Sequence, residues 1–205
     1  STGSGKTTIV NLICRFYEPQ LGAIYLDDVD ISKIDISSLR SNVAMVLQDV
    51  FLFADTLLNN ITLWDKSIAF KSVTEAAKKI GIHDFIMSLP NGYNYNVRER
   101  GIMLSQGQRQ LIAFLRAYIT NPSILILDEA TSSIDSYTEE LIQNAIQKIT
   151  LGKTSMIIAH RLATIEKADK IIVLDNGRIV EFGNHSNLLS KGGVYKDLYD
   201  SQLKR

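Results

Sequence analysis

The chain has 205 residues, of which 45% are hydrophobic and 21% charged, a composition typical of a globular domain with one sizeable core. Its 22 lysines and arginines balance its 22 aspartates and glutamates, so bulk charge gives no reason to expect a nucleic-acid or anionic-membrane surface. The single cysteine excludes an internal disulfide framework, and no apolar stretch approaches the roughly 20 residues of a membrane-spanning helix.

The first half of the chain alternates between helical and strand patterns. Apolar residues at helical spacing predict a helix that begins near Lys6, directly after a glycine-rich stretch. Short apolar runs predict strands over 22–28 and 42–48, and the mixed segment 31–40 between them is predicted to be irregular. From residue 56 to residue 89 good helix formers dominate, which indicates a small helical lobe.

The second half returns to alternating strands and helices. The polar segment 91–103 is predicted to be a loop, and Ser105 is a candidate N-cap for the helix that follows. The remaining predicted elements are a buried strand over 123–130, an amphipathic helix over 136–149, a second buried strand over 153–160, a hairpin over 170–183 that turns at Asn176-Gly177, and C-terminal helices over 185–205. This alternation predicts an α/β domain with a largely parallel sheet, in which ligands bind at the carboxyl ends of the strands.

The opening residues, STGSGKTT, match most of a phosphate-binding loop. The pattern requires a glycine, four free positions and then Gly-Lys-Ser/Thr; Gly5, Lys6 and Thr7 supply its end, and the opening glycine would precede Ser1. In such a loop backbone N–H groups approach phosphate oxygens, the lysine places a cation on the terminal phosphates, and the threonine hydroxyl can bind Mg²⁺. The alternative interpretation is an ordinary glycine-rich turn before a helix.

Polar side chains follow the two predicted buried strands. Asp128 and Glu129 end the first strand, where one carboxylate can hold Mg²⁺ and the next can polarise an attacking water. His160 ends the second strand. An acidic turn or a lone histidine is by itself more often structural than functional, so the prediction depends on their combination with the phosphate loop.

The segment LSQGQRQ (104–110) places Ser105 and Gly107 at a predicted helix start. A serine hydroxyl and a glycine N–H at a helix N-terminus can bind an anion. A plain N-cap gives the same pattern, and spacing alone does not separate the two interpretations.

Together these motifs resemble the nucleotide-binding domain of an ATP-binding cassette (ABC) transporter of the exporter type. TGSGKTT resembles the Walker A loop, MVLQ ending at Gln48 the Q-loop, LSQGQ the signature motif, ILILDE Walker B, SSID the D-loop and IIAHR the H-loop. Their order and spacing match along essentially the whole chain. Gln106 stands where many members carry glycine, a replacement that is familiar in exporters.

The resemblance implies a P-loop NTPase core with a largely parallel sheet plus a helical subdomain, in one domain over residues 1–205. The core would comprise 1–53 and 120–205, and the helical subdomain with the signature motif 54–119. The chain would be a fragment that begins inside its phosphate loop and lacks its N-terminal strands, the aromatic that stacks on adenine and the transmembrane segments. We expect such a fragment to fold poorly or to bind ATP weakly when it is alone.

ATP and Mg²⁺ are the cofactors that the resemblance implies. The residues expected to contact one ATP are Ser1, Thr2, Gly3, Ser4, Gly5, Lys6, Thr7 and Thr8. Those expected to contact the ATP of a second subunit are Ser105, Gln106, Gly107 and Gln108, with Asp135 where the D-loop crosses the dimer interface. The expected metal ligands are Thr7, Gln48 and Asp128. The expected catalytic residues are Glu129 as general base, His160 as a contact of the γ-phosphate and Gln48 as a contact of the metal or the water.

The resemblance also implies partners. Two such domains, in a homodimer or a heterodimer, would face each other head to tail around two ATP molecules. Hydrolysis would drive export through a transmembrane domain of the same full-length chain, at the cytoplasmic face of the membrane, and Glu99 would lie near that transmembrane region. The transported substrate is not determined, because its binding residues would lie in the transmembrane segments.

Two other functions remain open from the sequence. The first is a soluble or separate-subunit ABC ATPase; a chromosome-type member is disfavoured because Lys6 and Ser105 are too close for a long coiled-coil insertion, and neutral charge argues against nucleic acid. The second is a regulatory module that binds ATP without turnover, which the presence of Glu129 and His160 disfavours.

Overall fold

A computed structural model describes residues 4–128, 134–159 and 162–203. The chain divides into two compact units. The terminal unit comprises residues 1–39 and 158–205, and the central unit comprises residues 40–157. The predicted division into a core of 1–53 plus 120–205 and a subdomain of 54–119 stays a prediction.

The helices of the described residues are α1 (Lys6–Ile13), α2 (Ile36–Asn42), α3 (Leu57–Thr62), α4 (Phe70–Ile80), α5 (His83–Ser88), α6 (Gln106–Ile119), α7 (Ser136–Thr150), α8 (Leu162–Glu166), α9 (His185–Lys191) and α10 (Val194–Leu203). The strands are β1 (Tyr25–Leu26), β2 (Val29–Asp30), β3 (Val43–Val46), β4 (Ile124–Asp128), β5 (Thr154–Ile158), β6 (Ile171–Asp175) and β7 (Arg178–Gly183).

A sheet with the strand order β3-β4-β5 forms the centre of the central unit. β3 and β4 are parallel, with Val43 opposite Ile124 and Val46 opposite Leu127. Three consecutive residues of β4, Leu125 to Leu127, are buried, as expected for a strand that is covered on both faces. The prediction of an α/β fold with parallel strands is confirmed.

Helix α6 is the main packing element of the central unit. It contacts α3, α4, α7 and β3, and Leu111, Ile112 and Leu115 on it are fully buried. Burial of each such side chain stabilises the fold by roughly 1.5–3 kcal/mol. The helical region predicted over 56–89 is confirmed as α3, α4 and α5, and α4 ends at Gly81, whose φ of 89° is in the left-handed region that favours glycine.

The terminal unit is organised by the hairpin of β6 and β7. Asp175 lies opposite Arg178, and the turn residues Asn176 and Gly177 have φ values of 46° and 73°. Positive φ at both positions is the requirement of a type I′ turn, which the Asn-Gly pair meets at low cost. The predicted hairpin and the predicted C-terminal helices, here α9 and α10, are confirmed.

One sequence prediction is wrong, and a second is only partly confirmed. The segment 31–40 is not irregular, because it contains a 3-10 turn at Ile31–Lys33 and the start of α2. Asp35 accepts a hydrogen bond from the backbone N–H of Ser38 at 2.9 Å, and Leu39 is buried, so a local cap and a tertiary contact together stabilise this short helix.

The strand predicted over 153–160 is present as β5, but it is only partly buried. In β5 the first two residues are exposed and the last three are half-buried. β5 is the last strand in the order of the described sheet, so within the described residues it has a neighbouring strand on one side only.

A search of the helices in residues 4–128, 134–159 and 162–203 finds none with the length and apolar character that a membrane span needs.

Candidate functional site

The described end of the phosphate loop lies in the terminal unit. Ser4 is buried, and Gly5 precedes α1 with a φ of 97°, a conformation that a residue with a side chain rarely adopts. The Lys6 ammonium donates a hydrogen bond to the Ser4 hydroxyl at 2.8 Å. The first N–H groups of a helix have no acceptor within the helix, so the start of α1 can donate to an anion.

The hairpin turn supports the phosphate loop from the other end of the chain. The backbone N–H of Gly177 donates to the carbonyl oxygen of Ser4 at 3.2 Å. A Cβ added to Gly5 would lie 3.6 Å from the Cα of Gly177, so the two backbones are in contact. This contact holds the loop by its backbone.

The ends of β3 and β4 lie side by side in the central unit and lead to two predicted site residues. Val46 is opposite Leu127 in the parallel register, so the chain that leads to Gln48 leaves the sheet beside Asp128. An amide oxygen and a carboxylate are hard oxygen ligands of the kind that Mg²⁺ prefers. The donor set at this edge therefore fits the predicted metal.

Ser105 is the N-cap of α6 and belongs to a capping box. Its hydroxyl oxygen accepts from the backbone N–H of Gln108, and the Gln108 side chain accepts from the backbone N–H of Ser105. Gly107 lies in the first turn against the start of α7, where a Cβ would come within 2.7 Å of Thr138 and 2.9 Å of Ile134. Gly107 is therefore required for packing, whether or not its N–H also contacts a phosphate.

Two glutamines of α6 reach the end of β4 and the segment that follows β3. The Gln106 side chain donates to the carbonyl oxygen of Gln48 at 3.5 Å, and the Gln110 side chain donates to the carbonyl oxygen of Asp128 at 3.3 Å. Sequence reasoning did not identify Gln110. A signal was present, because positions four apart share a helix face and Gln110 directly precedes a buried apolar run.

Asp135 is the N-cap of α7. Its carboxylate accepts a hydrogen bond from the backbone N–H of Thr138 at 2.9 Å. This hydrogen bond holds the pKa of the Asp135 carboxyl below its ordinary value. The predicted D-loop residue thus has a structural role in the chain itself.

An aromatic surface follows Gln48 in the central unit. Phe53 packs edge-on against Phe51, with ring centroids 5.1 Å apart, and against Trp64, with ring centroids 5.0 Å apart. The Trp64 indole donates to the Asp55 carboxylate at 2.9 Å. All three rings are substantially exposed, which is unusual for a cluster of large aromatic side chains.

A charged groove adjoins this surface. Phe51 lines it together with Arg98, Glu99, Ile102 and Arg109. The Arg109 guanidinium donates to the carbonyl oxygen of Leu104 at 2.7 Å, which ties the groove to the start of α6. Of the residues of this groove, sequence reasoning identified Glu99. It did not identify the aromatic side chains of the adjoining surface as part of a site.

The predicted site residues divide between the two units. Ser4, Gly5, Lys6, Thr7 and Thr8 lie in the terminal unit, with Thr7 and Thr8 exposed in the first turn of α1. Gln48, Ser105, Gln106, Gly107, Gln108, Asp128 and Asp135 lie in the central unit. Ser1, Thr2, Gly3, Glu129 and His160 lie outside the described residues.

The sequence profile of the family described as ABC transporter matches residues 1–132, which include the phosphate loop, Gln48, the signature segment and Asp128. The chain belongs to the ABC transporter family.

Among relatives of this ABC chain is the ATP-dependent lipid A-core flippase of Saccharophagus degradans, which is 50% identical over 203 residues, covering 99% of this chain and 35% of the flippase. A putative multidrug export ATP-binding/permease protein of Staphylococcus aureus strain NCTC 8325 is 47% identical over 201 residues, covering 98% of this chain and 35% of that protein. The chain therefore spans about a third of the length of these relatives.

Among solved structures, a bacterial Atm1-family ABC exporter with ATP bound matches with a TM-score of 0.90 and 42% identity, over 98% of this chain and 35% of the exporter chain. At this similarity the parallel sheet and its helices are the P-loop fold of an ABC ATPase. The recognition of an exporter-type ABC domain from its motifs is confirmed.

Proposed function

We propose that the chain is the ATP-binding and ATP-hydrolysing motor domain of a membrane ABC exporter, which pairs head to tail with a second such domain around two ATP molecules and so drives export of a substrate. The observation that carries the proposal is the parallel register of β3 and β4, in which Val46 lies opposite Leu127, so that Asp128 and the segment with Gln48 follow at the same edge of the sheet. Names of relatives that include a flippase and an export protein support the same function.

In this proposal the phosphate loop binds the β- and γ-phosphates of ATP through backbone N–H groups and the Lys6 ammonium. The buried Ser4 and the left-handed Gly5 support it, because they form the tight turn that such a loop requires. Thr7 is proposed to offer its hydroxyl to Mg²⁺. When bound, Mg²⁺ neutralises negative charge that develops on the phosphates during hydrolysis.

Gln48 and Asp128 are proposed to hold Mg²⁺ through side-chain oxygens. Glu129 follows Asp128 directly in the sequence and is proposed to accept the proton of the attacking water, and His160 to contact the γ-phosphate. These roles rest on the motifs, because neither Glu129 nor His160 lies among the described residues.

The second domain is proposed to bind at the start of α6. Ser105 is exposed there, and its capping box fixes the first turn, so a phosphate of the partner's ATP would meet a preformed helix N-terminus. The partner is another ABC domain, identical or different. The proposal places both domains at the cytoplasmic face of a membrane.

A transmembrane domain is the other proposed partner. The aromatic surface of Phe51, Phe53 and Trp64 and the groove that contains Glu99 are exposed and combine apolar area with charge of both signs. These are features of a surface that binds another protein segment. Phe51 and Phe53 of this surface follow Gln48 closely in the sequence. A movement of the transmembrane partner against them is therefore proposed to be transmitted to the proposed metal site at Gln48.

The test is ATP hydrolysis by the purified full-length protein and by its Glu129→Gln variant. We expect the variant to keep ATP binding, to lose most turnover and to accumulate as an ATP-bound dimer in size-exclusion chromatography. Glu140→Gln makes the same chemical change at an exposed position of α7 and should hydrolyse ATP like the wild type. Turnover near the wild-type rate in Glu129→Gln, or a wild type without ATPase activity, would overturn the proposal.

A further inference from the structure

Gln110 is a polar side chain in the apolar interior of the central unit. It is 1% exposed, and the residues that follow it, Leu111 and Ile112, are fully buried. Burying an amide is costly unless the amide is hydrogen-bonded. A side chain of this kind in the middle of a helix therefore indicates that a specific contact is needed at that place.

The contact is to the last residue of β4. The Gln110 amide donates to the carbonyl oxygen of Asp128 at 3.3 Å. The acceptor is a backbone oxygen, so this hydrogen bond restrains the strand end without using the carboxylate. A peptide group is planar, so a restraint on the carbonyl of Asp128 also restrains the direction in which the chain leaves the strand.

One helical turn earlier, the same face of α6 reaches the segment that follows the neighbouring strand, β3. The Gln106 amide lies 3.5 Å from the carbonyl oxygen of Gln48. Positions four apart lie one above the other on a helix, and the strands they reach are adjacent and parallel. Helix α6 therefore contacts the last residue of β4 and the segment that follows β3 through backbone oxygens.

The N-terminus of this helix is the part proposed to meet a second ATP. Ser105 caps α6, and Gly107 packs it against Thr138 of α7 with no room for a side chain. The first turn is thus fixed by its cap and by α7, and the next turn is fixed to the strand end that carries Asp128.

We propose that Gln110 is a positioning residue, which ties the signature helix α6 to the end of β4 and so sets the position of Asp128 relative to the helix start that a partner's ATP would engage. The proposal rests on the function proposed above. It assigns to one side chain the link between the ATP contact made with the partner and the metal site in the same chain.

The experiment replaces Gln110 by methionine, which is close in length and unbranched but cannot donate a hydrogen bond. Full-length wild-type and variant proteins are compared for kcat, for the dissociation constant of ATP and for the Mg²⁺ concentration that gives half-maximal hydrolysis. We expect kcat to fall roughly tenfold or more, because small displacements of catalytic groups have effects of this size. We expect ATP affinity to stay within about twofold of the wild-type value, because this contact involves none of the residues of the phosphate loop.

Gln143→Met is the matched control. Gln143 is a half-buried glutamine of α7 whose side-chain nitrogen is buried without a hydrogen-bond partner among the described residues, so its loss should change none of the three quantities. Gln110→Leu also removes the donor without burying a charge, and serves if the methionine variant does not fold. Thermal unfolding of each variant measures the folded fraction, by which kcat is corrected.

Each result decides the inference. A lower corrected kcat and a higher Mg²⁺ requirement at unchanged ATP affinity support it. An unchanged corrected kcat, or a loss that follows only the folded fraction, overturns it while the proposed function stands. A wild type without ATPase activity overturns the proposed function and this inference together.

Discussion

The Ser105 hydroxyl accepts a hydrogen bond from the backbone N–H of Gln108 at 3.2 Å, and the Gln108 side chain accepts one from the backbone N–H of Ser105 at 3.0 Å. Two backbone donors that a helix start leaves unpaired are thus satisfied reciprocally. The residues that resemble an ATP contact are also those that begin the helix.

Substitutions at Ser105 and at Gln108 should therefore have different effects on the free energy of unfolding. Ser105→Ala removes the cap and should lower the free energy of unfolding by about 1 kcal/mol, whereas Gln108→Glu keeps the capping box and should leave it nearly unchanged. Urea denaturation measures both. Equal stability of Ser105→Ala and the wild type would show that the cap is not needed.

Ser105→Arg should prevent the ATP-dependent pairing of two domains but leave ATP binding by the single domain unchanged. A long cation at the exposed helix start would obstruct an approaching second domain, while the phosphate loop of the same chain is untouched. We expect ATP affinity in the unpaired state to be retained and ATP-dependent dimerisation, measured by size-exclusion chromatography, to be lost. Ser190→Arg, an exposed position of α9, is the control for the added charge. Loss of ATP binding by the unpaired Ser105→Arg protein would show that Ser105 contacts the ATP of its own chain and not the ATP of the partner.

Glu181 fixes the start of α10 in the terminal unit. This buried carboxylate accepts from the backbone N–H of Tyr195 at 2.7 Å and lies 3.8 Å from the Lys191 ammonium. Glu181→Ala should destabilise the protein by about 1.5–3 kcal/mol, because a charged acceptor at a helix N-terminus is lost. Thermal unfolding of the variant measures this.

Gly193 gives the matched test of the same contact. A Cβ there would collide with the Glu181 carboxylate, so Gly193→Ala should cost about 1–3 kcal/mol. When Glu181→Ala is also present the collision is absent, and the double variant should be less destabilised than the sum of the two. Additive effects would mean that Gly193 does not act through Glu181.

Asn60 should be the most sensitive asparagine of the central unit. Its fully buried side chain accepts from the N–H of Phe53 at 2.8 Å and donates to the carbonyl oxygens of Phe53 and Thr56, each at 3.0 Å. Asn60→Ala leaves buried backbone groups unpaired and should cost about 2–3 kcal/mol. Asn59→Ala removes only one half-buried contact, to Asp55, and should cost much less in the same urea titration.

The charge of Asp135 should make part of the stability of the protein dependent on pH. The backbone hydrogen bond from Thr138 lowers its pKa in the folded state below the ordinary value of 3.8. A group with a lowered folded pKa stabilises the fold above its unfolded pKa, and this stabilisation is lost as the pH falls through the folded pKa. Asp135→Asn also caps a helix but does not titrate.

We therefore expect the difference in melting temperature between wild type and Asp135→Asn to favour the wild type more at pH about 6 than at pH about 3. The comparison isolates Asp135, because all other carboxylates are common to both proteins. A difference that does not change with pH would show that the cap does not depend on the charge.

Local patterns were sufficient where neighbours in sequence determine the structure. The hairpin at Asn176-Gly177 and the helix start at Ser105 were both predicted, because a type I′ turn and a capping box are closed within a few residues. The segment 31–40 was not, because α2 is short and its stability depends on the burial of Leu39 as well as on its cap.

The motifs predicted which residues would bind ATP and Mg²⁺, but not which other residues support them. The Gly177 contact to Ser4 and the Gln110 contact to Asp128 both join segments that are separate in the chain. No local pattern encodes a hydrogen bond to a distant backbone carbonyl, since any donor of suitable length can make it once packing brings the two together.

The sequence by itself determined the family, most of the strands and helices in their order, and the residue types expected to bind phosphate and metal. These features depend on composition, periodicity and short motifs. Only the tertiary structure decided that Gln48 and Asp128 leave the sheet side by side, that Gly107 is needed for packing on α7, and that Gln110 holds the end of β4. The reason is physical: strand register, close approach and burial are properties of surfaces in contact, and they are set only when the elements pack.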